Sequence, residues 1–352
     1  MRGPVSVSEG RGPFRLTLMN QGILSLIGHT PLVELCQIFK GRDIRFFAKI
    51  EQLNPGGSSK DRPAWNIIQH GLKTGRIRDD TVIIESSSGN MGVGLAQVCG
   101  YHKLRFICVV DPKTTAQNIN LLKAYNAEVE MVSERDALTG EYLPSRIRRV
   151  NELMQTFDDS FWPNQYASEL NSGAHHQTMD EIMTELNGSL DYLFCATSTC
   201  GTLRGCAEYK KAHDLPTKII AVDAVGSVIF GGKKAKRLIP GHGAAIVPPL
   251  FRDDLADACV HVTDIECVAG CYRLVQEESL LAGGSSGAII SAIERFLPKM
   301  RAGSTCAAIL PDRGERYLDT IYSSEWVAMN LGDISYLWKT PLADLLNVNA
   351  AP

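Results

Sequence analysis

Short runs rich in β-branched residues alternate with longer segments of helical period along most of this chain, and no other feature limits its fold as tightly. The apolar runs fall at 81–84, 104–110, 127–132, 192–196, 218–222 and 305–310. Between them, residues 90–100, 115–125, 146–155, 175–186, 202–213 and 287–296 place apolar side chains at helical spacing. A strand that returns through a helix runs parallel to its predecessor, so the pattern predicts an α/β chain with a parallel sheet and crossover helices. No internal repeat is visible. At 352 residues the chain has room for roughly two domains and a large core. Residues 1–14, rich in Gly, Pro and Ser, read as a disordered leader. Residues 226–249 read as a long ordered loop, and the tail beyond 323 carries Trp326, Trp338 and several leucines that have to pack somewhere.

Charge and cysteine usage narrow the function classes. Thirty-six basic and 39 acidic residues leave a net charge of −3. The one basic run, Lys233-Lys234-Ala235-Lys236-Arg237, reads as solvated surface, so there is no footprint for nucleic acid. No apolar stretch approaches the roughly 20 residues that span a bilayer. Ten scattered cysteines and an N-terminus without a signal-peptide core suggest a reducing cytoplasm. No metal is expected: His175-His176 has no partner at ligand spacing, and Cys267 with Cys271 reads as one buried helix face. The Cys-x-x-Cys-His of haem attachment is absent.

Four segments carry chemistry. In Asn54-Pro55-Gly56-Gly57-Ser58-Ser59-Lys60-Asp61-Arg62, glycines permit a tight turn and Lys60 stands at the entrance of a helix marked by Ala64, Ile67, Ile68 and Leu72. A lysine held this way is suited to form a Schiff base. The strand ending at Ile84 leads into Glu85-Ser86-Ser87-Ser88-Gly89-Asn90-Met91-Gly92, a hydroxyl-rich turn into a helix N-terminus, where free N–H groups and the helix dipole attract an anion. Its glycines are in the wrong order for a dinucleotide fingerprint. The same physics recurs after Ala196 in Thr197-Ser198-Thr199-Cys200-Gly201-Thr202, which lacks a P-loop ending and suits a cofactor monoester phosphate. Finally, Gly283-Gly284-Ser285-Ser286-Gly287 lets backbone approach a flat ring and offers it a neutral hydroxyl.

Taken in order, and with Gly28-His29-Thr30-Pro31-Leu32 before them and Gly314-Glu315-Arg316-Tyr317-Leu318 after, these segments resemble the fold type II pyridoxal 5'-phosphate enzymes of the cysteine synthase and cystathionine β-synthase family. The resemblance runs from about 23 to 322. It implies a tryptophan synthase β-like fold: two three-layer domains with open twisted sheets, the smaller over 50–165 with a movable part near 92–150, the larger from 15–49 plus 166–323, and a tail over 324–352. It also implies a homodimer. By motif, Lys60 is the Schiff-base lysine, Asn90 contacts the cofactor's phenolic oxygen, and Ser198, Thr199, Cys200, Gly201 and Thr202 form the phosphate loop. Ser285 is the ring-nitrogen partner, and Ser87, Ser88, Met91 and Gln165 belong to the grip on a substrate α-carboxylate.

Within that family the chain most resembles the synthases of 2,3-diaminopropionate precursors for siderophores and related peptides. The matching segments are 108–115, 198–205, 221–232 and 311–317. The resemblance implies β-replacement through an α-aminoacrylate, joining O-phospho-L-serine to L-glutamate. Met91, Cys200 and Pro240 depart from the cysteine synthase pattern. Cys200 beside a phosphate is expected to pack rather than attack. Because glutamate brings two carboxylates, Lys113, Arg204, Arg313 and His242 are the candidate cations for it. The competing readings are an O-acetylserine or O-phosphoserine sulfhydrylase, cystathionine synthesis, and a non-catalytic metabolite-binding module.

Overall fold

A computed structural model describes residues 22–339. The expected leader at 1–14 and the end of the tail lie outside the described residues. In chain order the strands are β1 (Leu32–Glu34), β2 (Ile44–Ile50), β3 (Val82–Ser86), β4 (Phe106–Val110), β5 (Glu128–Met131), β6 (Ser160–Phe161), β7 (Tyr192–Ala196), β8 (Lys218–Ala224), β9 (Ala258–Val262) and β10 (Ser304–Leu310). The helices are α1 (Asp61–Lys73), α2 (Asn90–His102), α3 (Ala116–Ala124), α4 (Tyr142–Thr156), α5 (Glu169–Glu185), α6 (Gly201–Ala212), α7 (Asp264–Glu278), α8 (Gly284–Phe296), α9 (Ser324–Leu331) and α10 (Tyr336–Lys339).

The strands form two sheets rather than one. A four-stranded sheet has the order β5-β4-β3-β6 and a six-stranded sheet the order β1-β2-β10-β7-β8-β9. Every pairing is parallel except β1 with β2, which is antiparallel and makes the larger sheet mixed. Both faces are covered. On the larger sheet Phe194, Ile220 and Val222 pack with α7 and α8, while Leu193, Ile219 and Ala221 on the other face meet α5 and α6. On the smaller, Ile83, Phe106 and Cys108 face α1 and α2, and Ile84, Ile107 and Val109 face α4. Burial on both sides explains why β3, β4 and β7 read as continuous apolar runs rather than alternating ones.

Two packing details place the site. Where α7 crosses α8, a side chain at Gly270 would strike the backbone of Gly287, and one at Gly287 the backbone of Cys267. Only glycine at both positions lets α8 lie this close, and α8 carries Ser285 in its first turn. The tail packs on the larger sheet's core through Trp326, Leu331, Leu337 and Trp338, whose indole stacks on Tyr272 at 4.2 Å.

A buried ion cluster joins the two sheets' supports. The Arg62 guanidinium, 2% exposed, donates from Nε and Nη2 to Glu51 at 2.8 and 2.7 Å, and from Nη1 and Nη2 to Glu181 at 2.8 and 2.7 Å. Lys49 of β2 pairs with Glu181 at 2.9 Å. The 28–32 segment is tied to the same cluster: Thr30 Oγ1 donates to Glu51 at 2.7 Å, the His29 N–H to Glu181 at 2.8 Å, and the Gly28 N–H to Asn54 Oδ1 at 2.8 Å.

Removing one partner leaves buried charges uncompensated, so Arg62→Ala is expected to lose about 3 to 5 kcal/mol in urea unfolding. The pH dependence has a definite sign. Burial pushes the Glu181 pKa up, but Arg62 and Lys49 overcome this and hold it down to about 2, below the ordinary 4.5. That stability is fully present above the ordinary value and is lost as pH falls toward the depressed one. Acid titration of the urea midpoint should therefore be steeper for the wild type than for Glu181→Gln.

Candidate active site

Lys60 occupies the N-cap position of α1. Its turn is pinned from the far end of the chain: the Ser59 N–H donates to Pro311 O at 2.8 Å, the Arg313 N–H to Gly57 O at 3.3 Å, and Ser58 bridges Asp312. Desolvation lowers the pKa of the Lys60 ammonium, opposed by the negative charges of Asp312, Glu51 and Asp61. The amine's one hydrogen bond among the described residues is to Ser59 Oγ at 3.4 Å. A weakly tethered lysine with a depressed pKa is a competent nucleophile and base.

Lys60 opens into a cavity of about 990 Å³ between the sheets. From the β3–α2 turn come Ser87, Ser88, Asn90 and Met91. The Gly92 N–H donates to Ser87 Oγ at 3.0 Å, which leaves the Ser87 O–H to serve as a donor. Gln165 reaches the same wall and is anchored from behind: its Nε2 donates to Ser86 O at 3.1 Å, and its backbone N–H to Glu85 at 3.1 Å. Burial raises the Glu85 pKa to about 7, against the pull of its N–H donors.

The second anion cradle is the β7–α6 turn, where Ser198, Thr199, Cys200, Gly201 and Thr202 all line the cavity. Cys200 has φ of 64°, a left-handed conformation that glycine adopts more readily. Its thiol packs with Ile229 and Leu250, and burial beside Asp223 pushes it up to about 12. It is a packing thiol, not a thiolate. From α5, Asn171 lies against Gly201, and His175 Nε2 meets Thr202 Oγ1 at 3.2 Å while its Nδ1 meets Thr178 at 3.1 Å. Burial holds His175 neutral. These two α5 residues were not among the sequence candidates, because nothing local links them to a turn 30 residues on.

Ser285 also lines the cavity, and its hydroxyl makes no side-chain hydrogen bond among the described residues. Asn90 is held at both ends of its amide, by Asp312 at 2.8 Å and by Arg316. Lysine, amide, anion cradle and free hydroxyl thus face one space. This donor set fits a phosphorylated pyridine aldehyde: a monoester for the helix N-terminus, a carbonyl for Lys60, and a ring nitrogen for Ser285.

The expected acceptor cations divide. Lys113 lines the cavity. Arg204, Arg313 and His242 are not among its lining residues. Arg204 is engaged by Glu208 at 2.7 Å and Glu169 at 3.1 Å. Arg313 Nε donates to Gln52 O at 2.8 Å, and His242 is buried and held down to about 3 by burial and the Arg237 charge. The other cationic side chains that line the cavity are Arg146, Lys236, Arg237 and Arg316, besides Lys60. The basic run is therefore more than solvated surface, since its Lys236 and Arg237 line the cavity together with Ala235. Arg146 is the least expected: it is buried in α4, its Nε is 3.2 Å from Asp111, and Nε and Nη1 make no hydrogen bond.

Comparison with known proteins agrees with this donor set. Residues 23–312 match the family model described as pyridoxal-phosphate dependent enzyme. The chain belongs to the pyridoxal-phosphate dependent enzymes. It is similar to an O-acetylserine dependent cystathionine β-synthase from Helicobacter pylori, at 32% identity and a TM-score of 0.81, over 87% of this chain and 100% of that one. It is also similar to O-acetylserine sulfhydrylase isoform 3 from Entamoeba histolytica, at 29% identity and a TM-score of 0.80, over 95% of each chain. A structure of O-ureido-L-serine synthase matches at 26% identity and a TM-score of 0.79, over 94% of this chain and 100% of that one. The fold is accordingly that of the fold type II pyridoxal-phosphate enzymes, and the family chemistry is β-replacement.

The thiol assignment in this enzyme can be checked directly. Iodoacetamide at mildly alkaline pH should label exposed Cys36 and leave buried Cys200 unmodified. Peptide mass spectrometry showing Cys200 alkylated as fast as Cys36 would establish a reactive thiol instead.

Proposed function

We propose that this enzyme joins O-phospho-L-serine to L-glutamate, giving N-(2-amino-2-carboxyethyl)-L-glutamate and phosphate, a step toward L-2,3-diaminopropionate. The observation that carries the reading is Arg146, a buried guanidinium on the cavity wall with two nitrogens that lack hydrogen-bond partners. Asp111, 3.2 Å from Nε, balances the charge, but leaving buried donors without acceptors is costly unless ligand oxygens meet them. A phosphate or a dicarboxylate brings several charged oxygens to them, whereas hydrosulfide brings none and an acetyl ester only a neutral one. Lys113, Lys236 and Arg237 extend the same positive field to the mouth.

In this reading Ser87, Ser88, Met91 and Gln165 bracket the α-carboxylate of the serine donor, and Asn90, the 198–202 turn and Ser285 hold the cofactor. Bound pyridoxal phosphate supplies the electron sink for loss of the Cα proton and the β-substituent. Lys60 takes that proton and returns it to Cα after the acceptor amine has added. Arg146 offsets the charge that develops on the departing phosphate. The neutral Ser285 hydroxyl leaves the ring nitrogen largely unprotonated, which favours prompt loss of a good leaving group. The two lobes at 50–165 and at 15–49 plus 166–323, the movable part near 92–150, the homodimer, the cytoplasmic setting and the siderophore or peptide pathway belong to the same proposal.

A second reading is O-acetylserine-dependent synthesis of cysteine or cystathionine, since two of the similar structures are named for O-acetylserine. Supplying each donor with glutamate, sulfide or homocysteine and identifying products by mass separates the two. We expect coupling of O-phosphoserine with glutamate, no turnover and no yellow colour in Lys60→Ala, and a loss of roughly 10- to 150-fold with O-phosphoserine in Arg146→Ala. Efficient reaction of O-acetylserine with sulfide, unaffected by Arg146→Ala, would replace this proposal with the second.

A further inference from the structure

Residues 311–313 form a short bridging segment between two loops of the site and lead into a 3-10 turn over Gly314–Tyr317. On one side lie the Lys60 turn contacts already described, through Pro311, Asp312 and Arg313. On the other, the Gly283 N–H donates to Asp312 O at 3.0 Å, Ala282 bridges Arg313, and the Gly314 N–H donates to Leu281 O at 3.3 Å. The backbone around Asp312 therefore joins the Lys60 turn to the loop that leads into Ser285.

The Asp312 side chain reaches a third element. Its carboxylate is 2% exposed, and Oδ2 accepts from Asn90 Nδ2 at 2.8 Å and from Tyr317 O–H at 2.6 Å. The other end of the Asn90 amide, Oδ1, accepts from Arg316 Nη1, while Arg316 Nη2 donates to Gly56 O. An amide between a carboxylate and a guanidinium has a single favourable orientation. Turning it over would set oxygen against carboxylate and NH2 against guanidinium, losing both charge-assisted bonds. The amide nitrogen carries a second N–H that Asp312 Oδ2 does not occupy.

We infer that Asp312 is a positioning residue which, together with Arg316, fixes the Asn90 amide so that its second N–H faces the cofactor and keeps the Lys60, Asn90 and Ser285 segments in register. Asp312 acts through Asn90. The inference rests on the reading of Asn90 as a cofactor contact, and the test separates the two.

The measurement is the visible absorption maximum of each holoenzyme reconstituted with pyridoxal phosphate, without substrate, alongside bound-cofactor stoichiometry and the thermal unfolding midpoint. Asn90→Ala deletes the contact and defines the full displacement of the maximum. In Asp312→Asn the new amide can present either face to Asn90, so the maximum should move in the same direction by part of that displacement. Arg316→Gln should do likewise, and Arg316→Lys, which keeps a cation at the Asn90 oxygen, should restore it toward the wild type. A merely structural role would lower stability or stoichiometry without this graded spectral order. Maxima for Asp312→Asn and Arg316→Gln that coincide with the wild type, while Asn90→Ala is displaced, overturn the inference. An undisplaced Asn90→Ala overturns the contact itself and the inference with it. Should Asp312→Asn fail to fold, the Arg316 pair decides alone.

Discussion

The bidentate grip of Arg62 on Glu51 and Glu181 is the constraint on which the site depends. Taking three charges out of water is expensive, and the interior attraction offsets this only if geometry and hydrogen bonding are nearly complete. Here they are: both carboxylates receive two donors from Arg62, and Thr30, Asn54, His29 and Lys49 supply further ones. Such a cluster tolerates little displacement. Because Arg62 is in the first turn of α1, two residues beyond Lys60, the backbone that carries the reactive amine inherits that rigidity. The 28–32 segment, Glu51 and Glu181 come from parts of the chain far apart in sequence, so α1 is aligned with the larger sheet's supports while its own apolar face packs with the smaller sheet.

With the lysine fixed, the two sheets divide the rest of the chemistry. The β3–α2 turn of the smaller sheet and the β7–α6 turn of the larger both open onto the cavity, and in the proposed function the first takes the substrate carboxylate and the second the cofactor phosphate. Both use the same device, a parallel strand delivering its carboxyl end to a helix N-terminus, where unpaired N–H groups and the dipole favour an anion. What distinguishes them is support from below. Glu85 and Gln165 brace the first turn, and Asn171 and His175 brace the second. Keeping His175 neutral lets it exchange hydrogen bonds with Thr202 without placing a second cation in the cradle.

Much of this was legible in the chain because it is local. Strands buried on both faces appear as unbroken apolar runs, and the turn-to-helix motifs announce themselves through glycine and hydroxyl residues at strand ends. The elements that sequence reasoning passed over fail that locality. β2 carries Arg45 and Lys49 within an apolar run, and the burial of Lys49 is made acceptable by Glu181, Glu185 and the Thr30 carbonyl, all distant in sequence. β1 and β6 are three and two residues long, too short to show a period. Asp312 and Arg316 were visible as part of a motif, yet their grip on Asn90 spans more than 200 residues of chain.

The arginines show where legibility ends. Arg204 has Glu208 four residues later on α6, a spacing that pairs charges on one helix face, so its satisfaction by a neighbour could be read from the chain. Arg146 stands near Arg148 and Arg149 on α4, and by residue type the three are alike. Arg148 pairs with Asp136 and Arg149 with Glu130 and Glu152, all toward solvent, where such pairs contribute little. Arg146 instead turns inward, meets Asp111 out of hydrogen-bond alignment and keeps two nitrogens unmatched. The Asp111 carboxylate balances the charge, but the two unmatched nitrogens have lost water without gaining an acceptor. A ligand oxygen would complete the arrangement, and in the proposed reaction the departing phosphate is the group that brings one as its charge develops.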